Sequence, residues 1–362
     1  MNINKLQLIT IFLFMAGFFC PGIISAQQIE VVHEVNWLTF EQIKTLNKEN
    51  PRPVVVFFYS AGNDSSKLML QNALSRKEIC AYMNGKFYAV KFDVSSKAEV
   101  NFLDDKTYKK DPTKSYHDLS TVLLGDKPKV PAMIFYDENN SGFKFSGYKN
   151  QYDLLCMLVY FGENIEKTTR YEVWAPAYFR TFPPNQASNR ISLAINWMPL
   201  TEALKMNQEN PKGIFITWYV KTNAASSVML VNAFTHSRVA RFMNENFYCV
   251  RLDAQTTDTL KWDKLYYNKD GKYHFHELAT LLMKGQMQFP SIFFFDKQNK
   301  LILSENLYLS PEAFYLLANY VKSDAYKTQK FADFMKTFKF DWDDIVPREH
   351  PNVENKKMEN EK

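Results

Sequence analysis

Cys80, Cys156 and Cys249 are the side chains of this chain best suited to redox or covalent chemistry, and no two of them lie close together. Thiol–disulfide exchange needs an attacking thiolate and a second thiol that resolves the mixed disulfide. The spacing therefore predicts no redox dithiol. We expect these three residues to serve as small buried hydrophobic side chains, with a reactive single thiol as the alternative.

Histidines raise the separate question of a metal site or a catalytic base. His117 and His276 each begin a His-acid-Leu sequence at a predicted helix start, and His274 adds a His-x-His pair. No set of further ligands at metal-site spacing accompanies them, so we expect no metal and assign the two histidines to helix capping. A serine hydrolase built on Ser66 or Ser226 is not expected, because the Gly-x-Ser-x-Gly turn is missing.

The chain repeats itself at a fixed offset. Asn36-Trp37 recurs as Asn196-Trp197, 160 positions later. Residues 36–93 align with residues 196–253 without a gap, and 19 of the 58 pairs are identical. The sequence is therefore a tandem duplication, with a first copy and a second copy of one unit.

Both copies show the same order of predicted elements. A helix is followed by a buried strand, a helix, a strand, an insertion of about 22 residues, a short helix, a strand, a tight turn, a strand and a closing helix. The insertion predicts a small hairpin, with a turn signal at 268–271 in the second copy. This order predicts an α/β fold with a mixed sheet. The opening helix, first strand and closing helix are expected at 38–48, 54–59 and about 150–162, and at 200–209, 214–219 and 311–322.

The order of elements, with a proline directly before the third strand, resembles the thioredoxin fold. The likeness is sharpest in the second copy, where Ser226-Ser227-Val228-Met229 leads to Val239-Ala240-Arg241-Phe242-Met243-Asn244-Glu245-Asn246-Phe247-Tyr248. This resembles secreted thioredoxin-like proteins, in which Cys-x-x-Cys-x-x-Met precedes a Val-x-x-(Phe/Tyr)-(Ile/Met)-Asn-x-x-Phe-Tyr segment. The resemblance covers about 36–162 and 196–322. It implies two tandem thioredoxin-like domains, each a mixed central sheet flanked by helices.

The resemblance also locates the positions of the family's two cysteines, six and three residues before the methionine. Counting back from Met69 and Met229 gives Asn63 and Ser66, and Asn223 and Ser226. Asparagine and serine cannot exchange disulfides, but at a helix N-terminus they cap unpaired backbone N–H groups. We therefore expect two degenerate redox sites without catalytic residues.

The prolines of the fold are retained as Val130-Pro131 and Phe289-Pro290. By resemblance, each proline follows a cis peptide bond, and its loop faces the cysteine site and hydrogen-bonds extended polypeptide. These two loops are the candidate peptide-binding sites. The alternative is that each proline only shapes the turn before the strand.

The first 26 residues have the features of a secretion signal. Lys5 precedes an apolar run at 9–19, and Ser25-Ala26 offers a small-residue cleavage site. We expect cleavage there, with a retained anchor or lipidation at Cys20 as alternatives. No later segment is apolar enough to span a membrane, so the sequence predicts a secreted, periplasmic protein.

The rest of the chain divides into four predicted segments. The two domains are expected at 27–163 and 196–340, joined by an aromatic, proline-containing linker at 164–195. We expect the linker to pack across the domain boundary, although it could instead be a docking surface. The charged end, 341–362, is expected to be disordered.

The distribution of charge indicates which class of partner the protein binds. The net charge of +5 is spread over interleaved lysines and acids, which favours a protein or extended polypeptide over nucleic acid. No cofactor is expected. The predicted function is that of an exported, redox-inactive protein that binds or scaffolds polypeptides. The alternatives are a thiol–disulfide oxidoreductase using one of the scattered cysteines, and a structural subunit of an envelope assembly.

Overall fold

The computed structural model describes residues 34–137, 141–184, 194–266 and 274–340. The predicted signal peptide, the charged end and the turn signal at 268–271 lie outside these residues. Each copy forms one mixed four-stranded sheet flanked by helices. The predicted fold class, two tandem thioredoxin-like domains, is confirmed.

The first copy has the sheet order β2-β1-β5-β6, in which β1 pairs parallel with β2 and antiparallel with β5. Its central strand β1 consists of apolar and aromatic residues and is buried on both faces, as expected of a strand covered by helices on both sides. The strands are β1 (Val54–Tyr59), β2 (Tyr88–Asp93), β3 (Val100–Asn101), β4 (Thr107–Tyr108), β5 (Ala132–Tyr136) and β6 (Gly142–Ser146). The helices are α1 (Phe40–Glu49), α2 (Asp64–Asn72), α3 (Lys77–Lys86), α4 (Asp118–Leu124), α5 (Gln151–Gly162) and α6 (Tyr171–Thr181).

The second copy has the same sheet order and the same strand directions, β8-β7-β11-β12. Its strands are β7 (Ile214–Tyr219), β8 (Tyr248–Asp253), β9 (Leu260–Lys261), β10 (Leu265–Tyr266), β11 (Ser291–Phe295) and β12 (Leu301–Glu305). Its helices are α7 (Leu200–Glu209), α8 (Ala224–Asn232), α9 (Ser237–Asn246), α10 (Glu277–Leu282), α11 (Pro311–Lys322) and α12 (Phe331–Thr337).

The insertion after the second strand forms the predicted hairpin in both copies. Strand β3 pairs antiparallel with β4, and β9 pairs antiparallel with β10. One detail of the predicted order of elements was wrong. The single helix expected after the first strand is two helices in each copy, α2 with α3 and α8 with α9, separated by a short turn.

The copies extend beyond the closing helices on which the sequence prediction ended. Helices α5 and α11 are each followed by a residue with left-handed backbone, Asn164 or Asp324, and then by a 3₁₀ helix, Ile165–Lys167 or Ala325–Lys327. Helices α6 and α12 come next. The aromatic segment that joins the two sheets therefore begins with an element that the second copy repeats.

Helix α6 packs against α8 of the second copy. One apolar cluster includes buried residues from both copies, among them Phe57 and Phe135 of the first sheet and Phe215 and Phe294 of the second. Burial of this apolar surface is the main stabilising contribution at the boundary. The two copies therefore share a hydrophobic core.

Candidate functional site

In each copy, the residues that the resemblance places at the family's cysteine positions lie at the start of the helix that follows the central strand. We call Asn63–Ser66 and Asn223–Ser226 the motif of the first and second copy. Asn63 caps α2, and its Oδ1 accepts a hydrogen bond from the Ser66 N–H at 2.8 Å. Asn223 caps α8 in the same way, accepting from the Ser226 N–H at 2.7 Å. The asparagines thus satisfy backbone donors that helix geometry leaves unpaired.

The serines of the motif point into the protein. Ser66 and Ser226 are buried. The Ser66 Oγ lies 3.5 Å from the Ser60 N–H, whereas the Ser226 Oγ has no hydrogen-bond partner among the described residues. A serine needs an oriented base to become a nucleophile, and no histidine contacts either hydroxyl in the described part of the chain. The arrangement supports packing and capping, with no activated nucleophile.

Sheet register brings each motif to the same edge as its proline. Phe58, near the end of β1, pairs with Ala132, the first residue of β5, so Pro131 lies beside the loop that leads into α2. In the second copy Trp218 pairs with Ser291, which places Pro290 in the same relation to α8. The structure therefore brings together the two sets of residues that the sequence analysis selected.

Both proline peptide bonds, Val130-Pro131 and Phe289-Pro290, are cis. Among the described residues, no backbone hydrogen bond joins Val130 or Phe289 to another residue. The Pro131 carbonyl, by contrast, accepts from the Gly147 N–H at 2.8 Å and so belongs to the sheet. The residue before each proline thus keeps a backbone donor and acceptor that an extended chain could pair with.

The two proline loops differ in exposure. Val130 is half-buried, but Phe289 is buried and its ring lies 5.2 Å from that of Phe275. The first turn of the motif helix is also more exposed in the first copy than in the second. Asp64 and Ser65 are exposed, whereas Ala225 is buried. The motif edge of the first copy is therefore the more accessible of the two.

The histidines use both ring nitrogens for structure. The His117 Nδ1 accepts from the Leu119 N–H at 3.1 Å, and its Nε2 lies 2.9 Å from the Ala98 carbonyl. His276 repeats the pattern with Leu278 and Asp258, at 3.1 and 3.0 Å. These partners assign the neutral Nε2–H tautomer to each ring. The geometry is that of a helix cap, and burial lowers the pKa of His276.

The three cysteines are buried thiols in the hydrophobic core that the two copies share. Burial raises the pKa of Cys80 and raises that of Cys156 to about 12. It also raises the pKa of Cys249 far above its ordinary value. Reactive cysteines have lowered pKa values and are accessible, so none of these thiols has the environment of a nucleophile.

Sequence reasoning predicted that the 164–195 segment packs across the domain boundary, but it did not identify the residues that make this contact. Tyr308, just before α11, is buried against Trp174 of α6, with ring centroids 5.1 Å apart and planes at 82°. The Thr168 hydroxyl donates to the Tyr308 carbonyl at 2.7 Å. A signal was present, because Tyr148 and Thr168 recur as Tyr308 and Thr328 at the repeat offset.

Residues 39–162 match the family described as "Thioredoxin-like domain". A comparison with curated protein sequences found no significant match. Among the described residues, no helix is both long enough and apolar enough to cross a membrane.

Solved structures of similar fold share little sequence with the chain. A thioredoxin-fold protein from Helicobacter pylori is 16% identical over 35% of this chain and 80% of its own, with a TM-score of 0.28. The oxidoreductase DsbH is 18% identical over 40% and 94%, with a TM-score of 0.26. A thioredoxin from Thermus thermophilus is 15% identical over 34% and 85%, with a TM-score of 0.26. Likeness of this degree says nothing about activity.

The family match and the sheet topology agree on the first copy, and the second copy repeats its strand order and cis-proline. The first copy is a thioredoxin-like domain by its own sequence, and the second copy is a thioredoxin-like domain by its topology.

Proposed function

We propose that this protein is an exported, redox-inactive binding protein that holds extended polypeptide at the motif edge of its first copy. The observation that carries the proposal is that a motif without cysteines lies beside a proline loop whose Val130 backbone groups are unpaired among the described residues. By the family resemblance, Asn63 and Ser66 stand at the positions of the redox cysteines. Among the described residues, the backbone groups of Val130 beside them make no backbone hydrogen bond. Such an edge can add an extended chain through main-chain hydrogen bonds.

The exposure of the two edges supports assigning the binding role to the first copy. Val130 is half-buried and the first turn of α2 is exposed. In the second copy, Phe289 is buried and α6 packs along α8. An extended chain would therefore reach the first edge more easily than the second.

The buried thiols weigh against the alternative of a thiol–disulfide oxidoreductase. Attack on a disulfide requires a thiolate, and burial raises the pKa of Cys80, Cys156 and Cys249. The resemblance places the reactive positions at the motif, where this chain carries no thiol. A thiol titration near neutral pH that finds one cysteine reacting faster than free cysteine would favour the alternative.

Fluorescence anisotropy with a labelled, reduced and carboxymethylated α-lactalbumin tests the binding itself. Because that probe is unfolded and has no free thiol, a signal reports non-covalent capture of extended chain. We expect saturable binding with a dissociation constant of about 1–100 µM, typical of a short added strand. The absence of binding up to about 1 mM protein would overturn the proposal.

A single introduced thiol tests where the polypeptide lies. In the Asn63→Cys variant, the thiolate at the start of α2 attacks a disulfide of insulin. One insulin S–S bond breaks, one mixed S–S bond forms, and the other insulin sulfur leaves as a thiolate. Since Ser66 provides no resolving thiol, only the released insulin thiolate can reverse the step. Acid quenching and alkylation of that thiol preserve the adduct for a non-reducing gel.

The matched control is Asn223→Cys, which places the same thiol at the same cap of the second copy. We expect the first variant to form the adduct at least about fivefold faster, because access governs the rate of exchange. The natural protein gives the background from its buried cysteines. Equal rates for the two variants would contradict the assignment to the first copy.

A further inference from the structure

The contact between the two copies joins the end of one copy to the front of the next. The Thr168 hydroxyl and the Trp174 ring, which follow α5, contact Tyr308, which precedes α11. Asn232, at the end of α8, donates to the Tyr308 hydroxyl at 3.1 Å and accepts from Arg180 at 3.3 Å. Two different surfaces therefore meet, and such an interface is heterologous.

A heterologous contact between two tandem copies uses one half of the interface in each copy, so within the described residues the other half in each copy meets no second copy. We name these halves the front face of the first copy and the back face of the second. At the repeat offset of 160, the front face contains Leu68, Asn72 and Tyr148. The back face contains Thr328 and Phe334, whose ring is buried against Tyr320 and Phe338 of its own copy.

The alignment that defines these faces is anchored in the structure. Asn150 caps α5 and Ser310 caps α11, and the two caps are 160 positions apart. Tyr148 and Tyr308 each lie two residues before their cap, so they occupy the same place in the fold.

The unused faces keep the residue types that make the internal contact. Thr168 corresponds to Thr328, Asn232 to Asn72 and Tyr308 to Tyr148, each pair identical, and Trp174 corresponds to the aromatic Phe334. Among the residues whose hydrogen bonds and ring contacts are given above, Arg180 differs in type, since Phe340 stands at its position. The front face of the first copy and the back face of the second copy thus carry the two halves of one interface.

The front face is exposed where its counterpart is covered. Tyr148 is 42% exposed and Leu68 is 48% exposed, whereas Tyr308 and Val228 are 1% and 0% exposed. Thr328 on the back face is also exposed, whereas Thr168 is half-buried. Exposed apolar side chains of this size, grouped with the donors and acceptors of a known contact, mark an interaction surface.

We propose that a second copy of this chain docks its back face onto the front face of the first, head to tail, in the geometry that joins the two domains internally. The contact is weaker than the internal one, because Asp64, Lys67 and Gln71 replace Ala224, Ser227 and Val231 on the motif helix. Desolvating these polar groups subtracts from the affinity. A reversible association with a dissociation constant of about 10 µM to 1 mM is expected.

Sedimentation equilibrium of the purified protein between about 2 and 500 µM tests the proposal, and we expect the weight-average mass to rise at least about 1.5-fold over that range. Two variants break one half each: Tyr148→Glu on the front face and Thr328→Glu on the back face. Both residues are exposed, so neither substitution disturbs the core. Each variant alone should stay monomeric.

Mixing the two variants separates a head-to-tail contact from every symmetric one. The intact back face of Tyr148→Glu can dock on the intact front face of Thr328→Glu, so the mixture should form dimers and stop there. Val122→Glu, at another exposed apolar residue, is the control and should associate like the natural protein. A constant mass for the natural protein, association of either single variant, or no dimer in the mixture would each overturn the proposal.

Discussion

The two copies share a fold and a motif, but they differ in what covers the motif helix. Helix α8 lies under α6, and its Ala225 and Val228 are buried. The equivalent residues of α2, Ser65 and Leu68, are exposed. Burial of this helix is therefore a consequence of the tandem arrangement and not of the fold of a single domain.

The residue types of the two helices follow that difference. Ala224, Ser227 and Val231 of α8 correspond to Asp64, Lys67 and Gln71 of α2. The motif residues that cap the helix, Asn63 and Asn223, are identical. Both helices need the same cap at their first turn, so the capping residue is the same. The residue types on the outer side of each helix depend on whether another helix covers that side.

Replacement of Trp174 by alanine is the strongest test of the coupling between the copies. Its indole is fully buried, contacts Tyr308 of the second copy and donates to the Cys156 carbonyl at 3.3 Å within the first. We expect the free energy of unfolding to fall by about 3–5 kcal/mol, as for other buried tryptophans. Chemical denaturation should also resolve two transitions, because the shared core is lost.

The matched control is Phe334→Ala, at the same position of the second copy. Phe334 packs against Tyr320 of its own copy, and the described residues show no ring contact between Phe334 and the first copy. It should lower the free energy of unfolding without separating the transitions of the two copies. A single cooperative transition in Trp174→Ala would show that the copies couple through other contacts.

The tyrosine pair gives the next largest difference. Tyr308→Ala removes a buried ring and its hydrogen bond to Asn232, so we expect a loss of about 3–4 kcal/mol in the free energy of unfolding. Tyr148→Ala removes the equivalent exposed ring and should cost about 0.5 kcal/mol or less in a dilute sample. Urea denaturation of both variants measures the difference. Similar losses would mean that Tyr148 is packed in solution.

Loss of the helix cap should destabilise the two copies equally, although the outer sides of α2 and α8 differ. Asn63→Ala and Asn223→Ala each remove the acceptor for one backbone N–H at a helix start. We expect each variant to lower the free energy of unfolding by about 1 kcal/mol. The corresponding serine variants, which can still cap, are the controls. A loss confined to the alanine variant of one copy would show that the other cap is redundant.

The sequence was informative wherever local pattern determines structure. The apolar run at 54–59 predicted the central strand, and the repeat offset placed its partner at 214–219. The family resemblance, counted back from Met69 and Met229, led to Asn63 and Asn223. Both cap their helices as expected, because capping depends on residues only three apart. The prolines were found by their position before a strand.

Contacts between the copies could not be predicted in the same way. Leu68 is an apolar residue of α2 beside the buried Met69, but Leu68 is exposed while its counterpart Val228 is buried. An apolar residue on a helix face indicates burial only when a neighbour covers that face. Which face α6 covers depends on tertiary packing, about which hydrophobic periodicity carries no information.

The smallest expected effect is the pH dependence that His276 confers. Burial lowers its pKa from the ordinary value of 6.5, so below that pH the unfolded chain binds a proton that the folded chain resists. The contribution of His276 to the free energy of unfolding is therefore full above pH 6.5 and decreases as the pH falls through the folded pKa. Protonation of Nδ1 would also remove the acceptor for the Leu278 N–H.

The variant His276→Asn keeps a capping side chain and removes the titrating ring. We expect its stability to fall less than that of the natural protein between about pH 7.5 and 5.5, measured by urea denaturation at each pH. His117→Asn changes the same cap in the first copy and controls for any loss of packing around the ring. If the natural protein and His276→Asn lost stability in parallel, the pH dependence would arise from carboxylates elsewhere in the chain, because the buried imidazole would then contribute nothing to the slope.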